Sequence, residues 1–406
     1  MRPVRGGYPA GMAQLRQTTD VLILGAGAAG MFCAIEAARR GRRVVLADHA
    51  AAPGEKIRIS GGGRCNFTNR SADPERFLSR NPRFARSALS RCTPADFIAR
   101  VDAAGIAWHE KTLGQLFCDG RATQITAMLV RDMADAGVDL RLGQTVGEIA
   151  HDGRFRVGIG QTMIEAESLV VATGGKSIPK MGATGLGYRI AAQFGLAVTE
   201  TRPALVPLTF AEQELDGMRA LAGVSVHARV TRDRAAFEEG LLFTHRGLSG
   251  PSILQISSYW REGEAVTVDL CPRADVGAAL REARATNGRA EAATVLARHI
   301  PARLAGWTAA RAGATGRVAD LTREAVDRLS DAVHRWEVRP VGSEGYRTAE
   351  VTLGGVDTDG LEARTMQARA VPGLYFVGEV VDVTGWLGGY NFQWAWSSGW
   401  AAGQSV

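Results

Sequence analysis

Residues Val21 to Gly30, read as Val-Leu-Ile-Leu-Gly-Ala-Gly-Ala-Ala-Gly, constrain the fold more than any other stretch of the chain. Four consecutive apolar residues, Val21 to Leu24, suit a central strand of a parallel sheet, buried on both faces. A glycine turn follows at once. Gly25 permits the tight reversal, Gly27 has no side chain to hold a pyrophosphate away from the backbone, and Gly30 lets a helix lie close on the sheet. Ala26 and Ala29 keep the gaps between them small. The helix, expected from about Ala28 to Arg40, aims its first N–H groups and its positive dipole end at an anion on the turn. Beyond Gly41 a second strand is expected over Arg42 to Ala47. Asp48 ends it about twenty residues past the glycines, where a carboxylate accepts hydrogen bonds from adenosine ribose hydroxyls and disfavours a 2′-phosphate.

The next segment, Pro53 to Asn69, is too rich in glycine to read as a regular element. Its three successive glycines, Gly61 to Gly63, can present N–H groups to an anion, while Lys56, Arg58 and Arg64 add positive charge and Asn66 an amide. Further on, Ser168 to Gly175 repeats the strand-to-glycine theme, so Thr173, Gly174 and Gly175 bring a thin backbone past the same ligand. A β-rich section between them includes strands near Val146, which can pass an adenine, and near Phe155. The cluster Gly182 to Gly187 reads as a packing turn, because no strand with an acidic end follows it.

From Pro203 the character changes to short strands, with His245 beside glycines as a candidate proton donor, weighed against a histidine satisfied by backbone in a turn. Arg273 to Arg335 reads as a helical insert. Within it Val318, Leu321, Ala325, Leu329 and Val333 form an apolar stripe, and Arg323, Asp327, Arg328 and Asp331 a solvated face. The chain then returns to glycine-ended strands at Gly354 and Gly378. Glu379 or Asp382 can hold ribityl hydroxyls of a flavin there. Gly388, Gly389, Tyr390 and Asn391 lead a final helix over Trp394 to Gly403, whose positive end suits the anionic edge of a reduced isoalloxazine.

Several function classes are disfavoured by composition. The net charge is +6, yet only Lys56, Lys111, Lys176 and Lys180 are lysines, and the arginines are scattered among acids, which speaks against a nucleic-acid face. Five cysteines with no CxxC (Cys33, Cys65, Cys92, Cys118 and Cys271) argue against a disulfide framework and a metal site, and for a reducing cytoplasm. No apolar run approaches a membrane span. Met1 to Thr19 has no apolar core of a leader and reads as a loose tail, with Met12 an alternative start.

Taken together, Val21 to Gly30, Ile59 to Asn66, Ala172 to Gly175, Phe243 to Pro251 and Gly378 to Asn391 resemble the bacterial BaiN-like flavoproteins, also described as NAD(P)/FAD-dependent or aminoacetone-oxidase-family oxidoreductases. The resemblance covers nearly the whole chain from Asp20. It implies an α/β Rossmann-like FAD-binding domain of the glutathione-reductase type, discontinuous, with an inserted β-rich domain carrying a helical subdomain. The expected boundaries are a tail over 1–19, the FAD domain over 20–203 and 347–406, the β-rich domain over 204–272 with a return strand at 336–346, and the helical insert over 273–335. The FAD positions it implies are Gly25, Gly27, Gly30, Asp48, Lys56, Ser60 to Asn66 (with Gly61, Gly62, Arg64 and Cys65), Thr173, Gly174, Gly378, Glu379 and Gly389 to Asn391. Trp386, Trp394 and Trp396 crowd the last motif and read as core packing before a substrate pocket.

The leading expectation is therefore a cytoplasmic FAD-dependent oxidoreductase that passes hydride through flavin N5 between NAD(P)H or a small organic substrate and an acceptor. NAD(P)H would dock transiently, since no second dinucleotide fingerprint exists. His245, Tyr390 and Cys65 are the candidate proton donors. Two alternatives stay open: a flavoprotein modifying RNA in the manner of tRNA-modifying enzymes, motivated by the arginine-rich insert, and a non-catalytic FAD-binding redox sensor. Oligomeric state is not legible.

Overall fold

The computed structural model describes residues 15–406, and it divides into two compact units. One comprises the chain up to Gly175 with Met181–Glu200 and Gly354–Val406; the other comprises Lys176–Lys180 and Thr201–Leu353. The reading of Met12 as an alternative start, and most of the expected tail, lie outside the described residues.

The first unit is built on five parallel strands in the order Asp139–Arg141, Val44–Ala47, Leu15–Leu24, Thr162–Val171 and Leu374–Phe376. Val21, Leu22, Ile23 and Leu24 are fully buried, as a strand covered on both faces requires. The tail expectation is corrected at its end, because Leu15 to Thr19 continue this strand and pair with Thr162 to Ala166. Those residues are mostly polar and alternate in no useful way; the ladder makes the strand, and burial does not. The strand expected over Ser168 to Val171 is likewise longer. Its first half pairs with Phe155–Ile159 antiparallel, which in turn pairs with Val146–His151, and its second half pairs with Leu374–Phe376.

Against this sheet the Ala28–Arg39 helix packs on the terminal helix, Tyr390–Gly403, which begins earlier than expected. Their approach is close: an ideal Cβ on Gly399 would lie 2.5 Å from the Ala29 carbonyl oxygen, and one on Gly403 would lie 2.6 Å from Glu36 Cβ. Trp394 and Trp396 are core residues, the latter stacked on Phe97 with centroids 4.2 Å apart and its Nε1 donating to the Phe67 carbonyl.

The glycine-rich segment departs from the expected irregular loop. Gly54, in the left-handed region, starts a helix over Glu55–Gly63 that breaks at Ser60, Gly61 and Gly62, and Asn66–Asn69 is a strand. That strand, Gln115–Cys118 and Trp108–Glu110 form a small antiparallel sheet. Pro94 occupies the first turn of the Pro94–Ala103 helix, behind a Thr93–Asp96 capping box.

The second unit is a seven-stranded antiparallel sheet in the order Trp336–Val338, Val266–Asp269, Ser225–Arg232, Ala235–Thr244, Gly247–Ser249, Leu208–Thr209 and Gly342–Ser343. The insert supplies four helices, Val276–Thr286, Ala292–Leu296, Ala302–Arg311 and Arg323–His334. The apolar stripe is buried throughout, although Val318 and Leu321 precede the helix that Thr322 caps.

Candidate functional site

In an open parallel sheet, ligands sit beyond the carboxyl ends of the strands where the chain order reverses. Here that point lies between Leu15–Leu24 and Thr162–Val171, since the chain passes from the former to Val44–Ala47 on one side and reaches the latter on the other. The strand ends are tied together: Gly25 N donates to Ala47 O (2.8 Å), Ala172 N to Leu24 O (2.8 Å) and Val377 N to Val171 O (3.1 Å). Gly25, Ala26, Gly27, Thr173, Gly174 and Gly378 therefore share one edge. Gly30 is required by packing, because an ideal Cβ would lie 1.9 Å from the Gly25 carbonyl oxygen.

Gly27 is different. Its φ of −81° and ψ of −172° are open to any residue, and an ideal Cβ there meets nothing within 4 Å. Neither backbone nor protein packing asks for glycine, so the demand comes from what approaches the turn. Gly174 lies in the left-handed region at φ +69°, so its backbone alone favours glycine, and the neighbouring Thr173 Oγ1 is buried without a hydrogen-bond partner. With the helix N-terminus at Ala28, this edge fits a dinucleotide diphosphate.

Asp48 stands where a ribose carboxylate is expected, and it also fastens the turn. Its Oδ2 accepts from Ala26 N at 2.6 Å and its Oδ1 from Ala50 N at 2.8 Å. Gln144 N donates to Asp48 O and Gly143 N to Ala50 O (both 2.9 Å), which brings the start of the half-buried Val146 strand beside it. Lys56 Nζ donates to Glu379 Oε2 at 2.6 Å, joining the helix after Gly54 to the turn after Leu374–Phe376. The two carboxylates read as alternatives for ribityl hydroxyls thus differ. Glu379 sits at the strand end with Lys56, whereas Asp382 accepts from Arg80 N at 3.0 Å, and burial pushes its carboxyl above the ordinary value.

The two remaining glycine motifs meet across the small sheet. Gly389 has φ +95°, and an ideal Cβ there would lie 2.3 Å from Thr68 O and 2.8 Å from Asn66 Oδ1. Asn69 Nδ2 donates to Gly388 O at 2.9 Å. The Asn391 amide is spent on its own loop, accepting from Gly385 N (2.8 Å) and donating to Gly385 O (2.9 Å). Ser60 Oγ donates to Ile57 O (2.8 Å), Gly61 packs on Phe117, and Gly62 and the Arg64 side chain are exposed.

The three proton-donor candidates fall in different settings. Tyr390 is buried, and its phenol oxygen accepts from Arg76 Nη1 at 2.6 Å, with Phe77 and Trp386 packed on its ring. Cys65 is fully buried, and burial pushes its thiol up to about 12. His245 belongs to the second unit, exposed in the two-residue turn between Ala235–Thr244 and Gly247–Ser249. Sequence reasoning missed Arg76, Arg80, Gln115 and Phe117. Arg76 left no local signal, while Phe117 could have been found from alternation, since Leu116 and Cys118 on either side are buried.

Among the described residues no group of three or more His, Cys, Asp or Glu could hold a metal ion, and no helix is long and apolar enough to cross a membrane.

A family model described as HI0933-like protein Rossmann domain matches residues 19–405. Ribosomal RNA dihydrouridine synthase of Escherichia coli K12 is 51% identical over 394 residues, which cover 95% of this chain and 98% of that protein. The protein of the same name from Haemophilus influenzae is 44% identical over 399 residues, covering 97% and 99%. A 3-dehydro-bile acid delta(4,6)-reductase of Clostridium scindens is 26% identical over 406 residues, covering 95% and 98%. The first two relatives correct two expectations, small-molecule hydride transfer as the main activity and nucleic acid as a disfavoured partner. The error has a physical origin. Phosphates are contacted one at a time by individual cations, so arginines scattered among acids do not exclude an RNA surface.

Proposed function

This chain belongs to the HI0933-like Rossmann family, and on that premise we propose that it is an FAD-dependent enzyme that reduces uridine in ribosomal RNA to dihydrouridine. The observation that carries the reading is the 51% identity to the Escherichia coli ribosomal RNA dihydrouridine synthase, sustained over 95% of this chain. In this reading the diphosphate of FAD lies on Gly25 to Gly30 and Gly174, its ribose beside Asp48, and its ribityl chain beside Glu379. The open approach at Gly27 and the orphaned Thr173 hydroxyl support that placement.

Dihydrouridine differs from uridine by two hydrogens across the C5–C6 bond. Bound reduced flavin supplies a hydride for C6; the protein holds the base, excludes water and delivers a proton to C5. We place Tyr390 at that proton. Arg76 donates to the phenol oxygen, so the hydroxyl hydrogen is directed elsewhere, and the guanidinium stabilises the oxygen as the proton leaves. Cys65 is held as a buried neutral thiol and fills space. A reduced nicotinamide docking transiently is the electron source, consistent with a single dinucleotide turn. An RNA substrate and five buried free thiols support a reducing cytoplasm.

The test uses the flavin-loaded protein, incubated anaerobically with NADH or NADPH and unmodified ribosomal RNA transcripts. Digested nucleosides are analysed by mass spectrometry. Dihydrouridine formed only with flavin and reductant supports the reading. A flavin that is reduced and reoxidised while no RNA gains dihydrouridine refutes it.

A further inference from the structure

We propose that the Phe117 face of the Gln115–Cys118 and Trp108–Glu110 strands is a platform for a single-stranded segment of the RNA substrate: a base stacks on Phe117, and Lys111, Arg64 and Arg121 take the flanking phosphates, while the third strand of the small sheet, Asn66–Asn69, is buried beside them. The inference rests on the ribosomal RNA reading and adds to it a surface and named contacts.

The first argument is strand alternation. Leu116 and Cys118 are fully buried, so Phe117 between them faces the opposite side, where it stays only half-buried. Opposite it in the ladder, His109 lies nearly coplanar, its ring 6.1 Å away at 16°, and Lys111 Nζ stands 5.4 Å from the Phe117 centroid. An aromatic ring flanked by a cation on the face of an antiparallel sheet is what RNA-binding sheets use to stack unpaired bases.

The second argument is where exposed apolar surface collects. Among the described residues only Leu15, Ile59, Leu113 and Val341 are exposed large hydrophobics, and two of the four adjoin this face. Leu113 lies in the turn entering Gln115–Cys118, its carbonyl accepting from Asn69 Nδ2 at 3.1 Å. Ile59 immediately precedes the break whose Gly61 packs on Phe117, where an ideal Cβ would be 2.8 Å from the ring.

Charge supplies the third. Arg64 and Arg121 are exposed beside the end of the middle strand, since Cys118 N donates to Arg64 O (3.0 Å) and Ala122 N to Gly63 O (2.7 Å). Two of the acids here have cationic neighbours, Glu110 paired with Arg70 and Glu55 4.0 Å from Arg58, and Asp119 hydrogen-bonds His109 Nδ1 at 2.6 Å. The excess is positive, which suits the phosphates of a nucleic acid and disfavours a basic partner. The location fits too, because Asn66 on the same sheet touches the Gly389 turn of the candidate site.

The experiment compares the flavin-loaded parent with Phe117→Ala and with Lys111→Glu/Arg121→Glu, using a fluorescein-labelled unstructured oligouridine and a blunt RNA duplex in anisotropy titrations over a salt series. Bound flavin is read from the visible spectrum. We expect the charge reversals to weaken single-strand binding by at least about tenfold and to flatten the salt dependence by roughly 1.4 in log–log slope, as two lost phosphate contacts require. Phe117→Ala should weaken it by about 5- to 150-fold and leave duplex binding alone. Should Phe117→Ala fail to fold, the charge-reversed surface variant still decides the matter. Flavin loss in that variant would assign the cations to the cofactor and overturn the platform. Dihydrouridine formation and RNA binding at parent levels in the variants would overturn the platform alone. A parent that neither binds RNA nor forms dihydrouridine would remove the functional reading with it.

Discussion

Replacing Gly27 by alanine separates the demands of the fold from those of the ligand. The backbone at this position suits alanine, and the added methyl meets no protein atom within 4 Å. Fewer unfolded conformations should therefore stabilise the flavin-free protein by about 0.4–1 kcal/mol. The same methyl projects where a diphosphate must approach the turn. Overpacking of that kind costs about 1–3 kcal/mol, which weakens FAD binding by about 5- to 150-fold. Gly30→Ala is the control with the opposite signature, because its Cβ would collide with the Gly25 carbonyl oxygen at 1.9 Å and destabilise the protein with or without flavin. The assay pairs thermal melts of deflavinated protein with titration of FAD, followed by quenching of its fluorescence. A Gly27→Ala protein that binds FAD with parental affinity would refute the placement of the diphosphate. So would an apoprotein melting as low as Gly30→Ala.

Other expectations can be checked singly. Tyr390→Phe keeps the ring packing and removes the group that Arg76 donates to; flavin content should hold while single-turnover dihydrouridine formation falls by about 100-fold or more, and an unchanged rate sinks its role as proton donor. Gln393→Leu breaks a buried chain in which Thr68 Oγ1 donates to Gln393 Oε1 (2.5 Å) and Gln393 Nε2 to Cys92 O (2.9 Å), so chemical denaturation should show a loss of about 1–3 kcal/mol. The hydrogen bond from Arg43 holds the Asp20 carboxyl down at about 2, so its stabilisation is present above the ordinary carboxylate range and is lost as pH falls from about 4 toward 2. Asp20→Asn should therefore be less stable than the parent at pH 7 and equal to it near pH 2, as melts across that range will report.

Local physics made much of the first unit legible. Val21 to Gly30 announces its strand, turn and helix because double-sided burial and glycine spacing are properties of neighbouring residues, and a strand at Phe155–Ile159 falls where it is expected. Leu15 to Thr19 escaped because a polar segment becomes a strand only when its ladder partner arrives, and that partner is Thr162 to Ala166. The helix over Glu55 to Ile59 was masked by the glycines that break it. In the candidate site, Asp48, Lys56 and Glu379 stood out from the sequence as candidates to hold a cofactor, yet the Lys56–Glu379 pair and the Arg76–Tyr390 bond join residues more than 300 positions apart. No window of sequence contains both members of such a pair. Lone cations around Phe117 looked like bias in composition because their gathering on one sheet face is a property of the folded chain.

The close seating of Tyr390–Gly403 on Ala28–Arg39 also sets an order on biosynthesis. The residues that open the Rossmann sheet are translated first, but the strand at Leu374–Phe376 and the helix that covers Ala29 emerge only after the whole of Thr201–Leu353 has been made. A nascent chain stalled before Gly354 holds a complete antiparallel unit and an unfinished nucleotide-binding half, with Ala29 and Cys33 uncovered. Such long-range closure is slow and exposes apolar surface to aggregation. Flavin capture should therefore wait until Tyr390–Gly403 has been made, and premature termination anywhere before that helix should yield colourless, protease-sensitive product in place of a shortened flavoprotein.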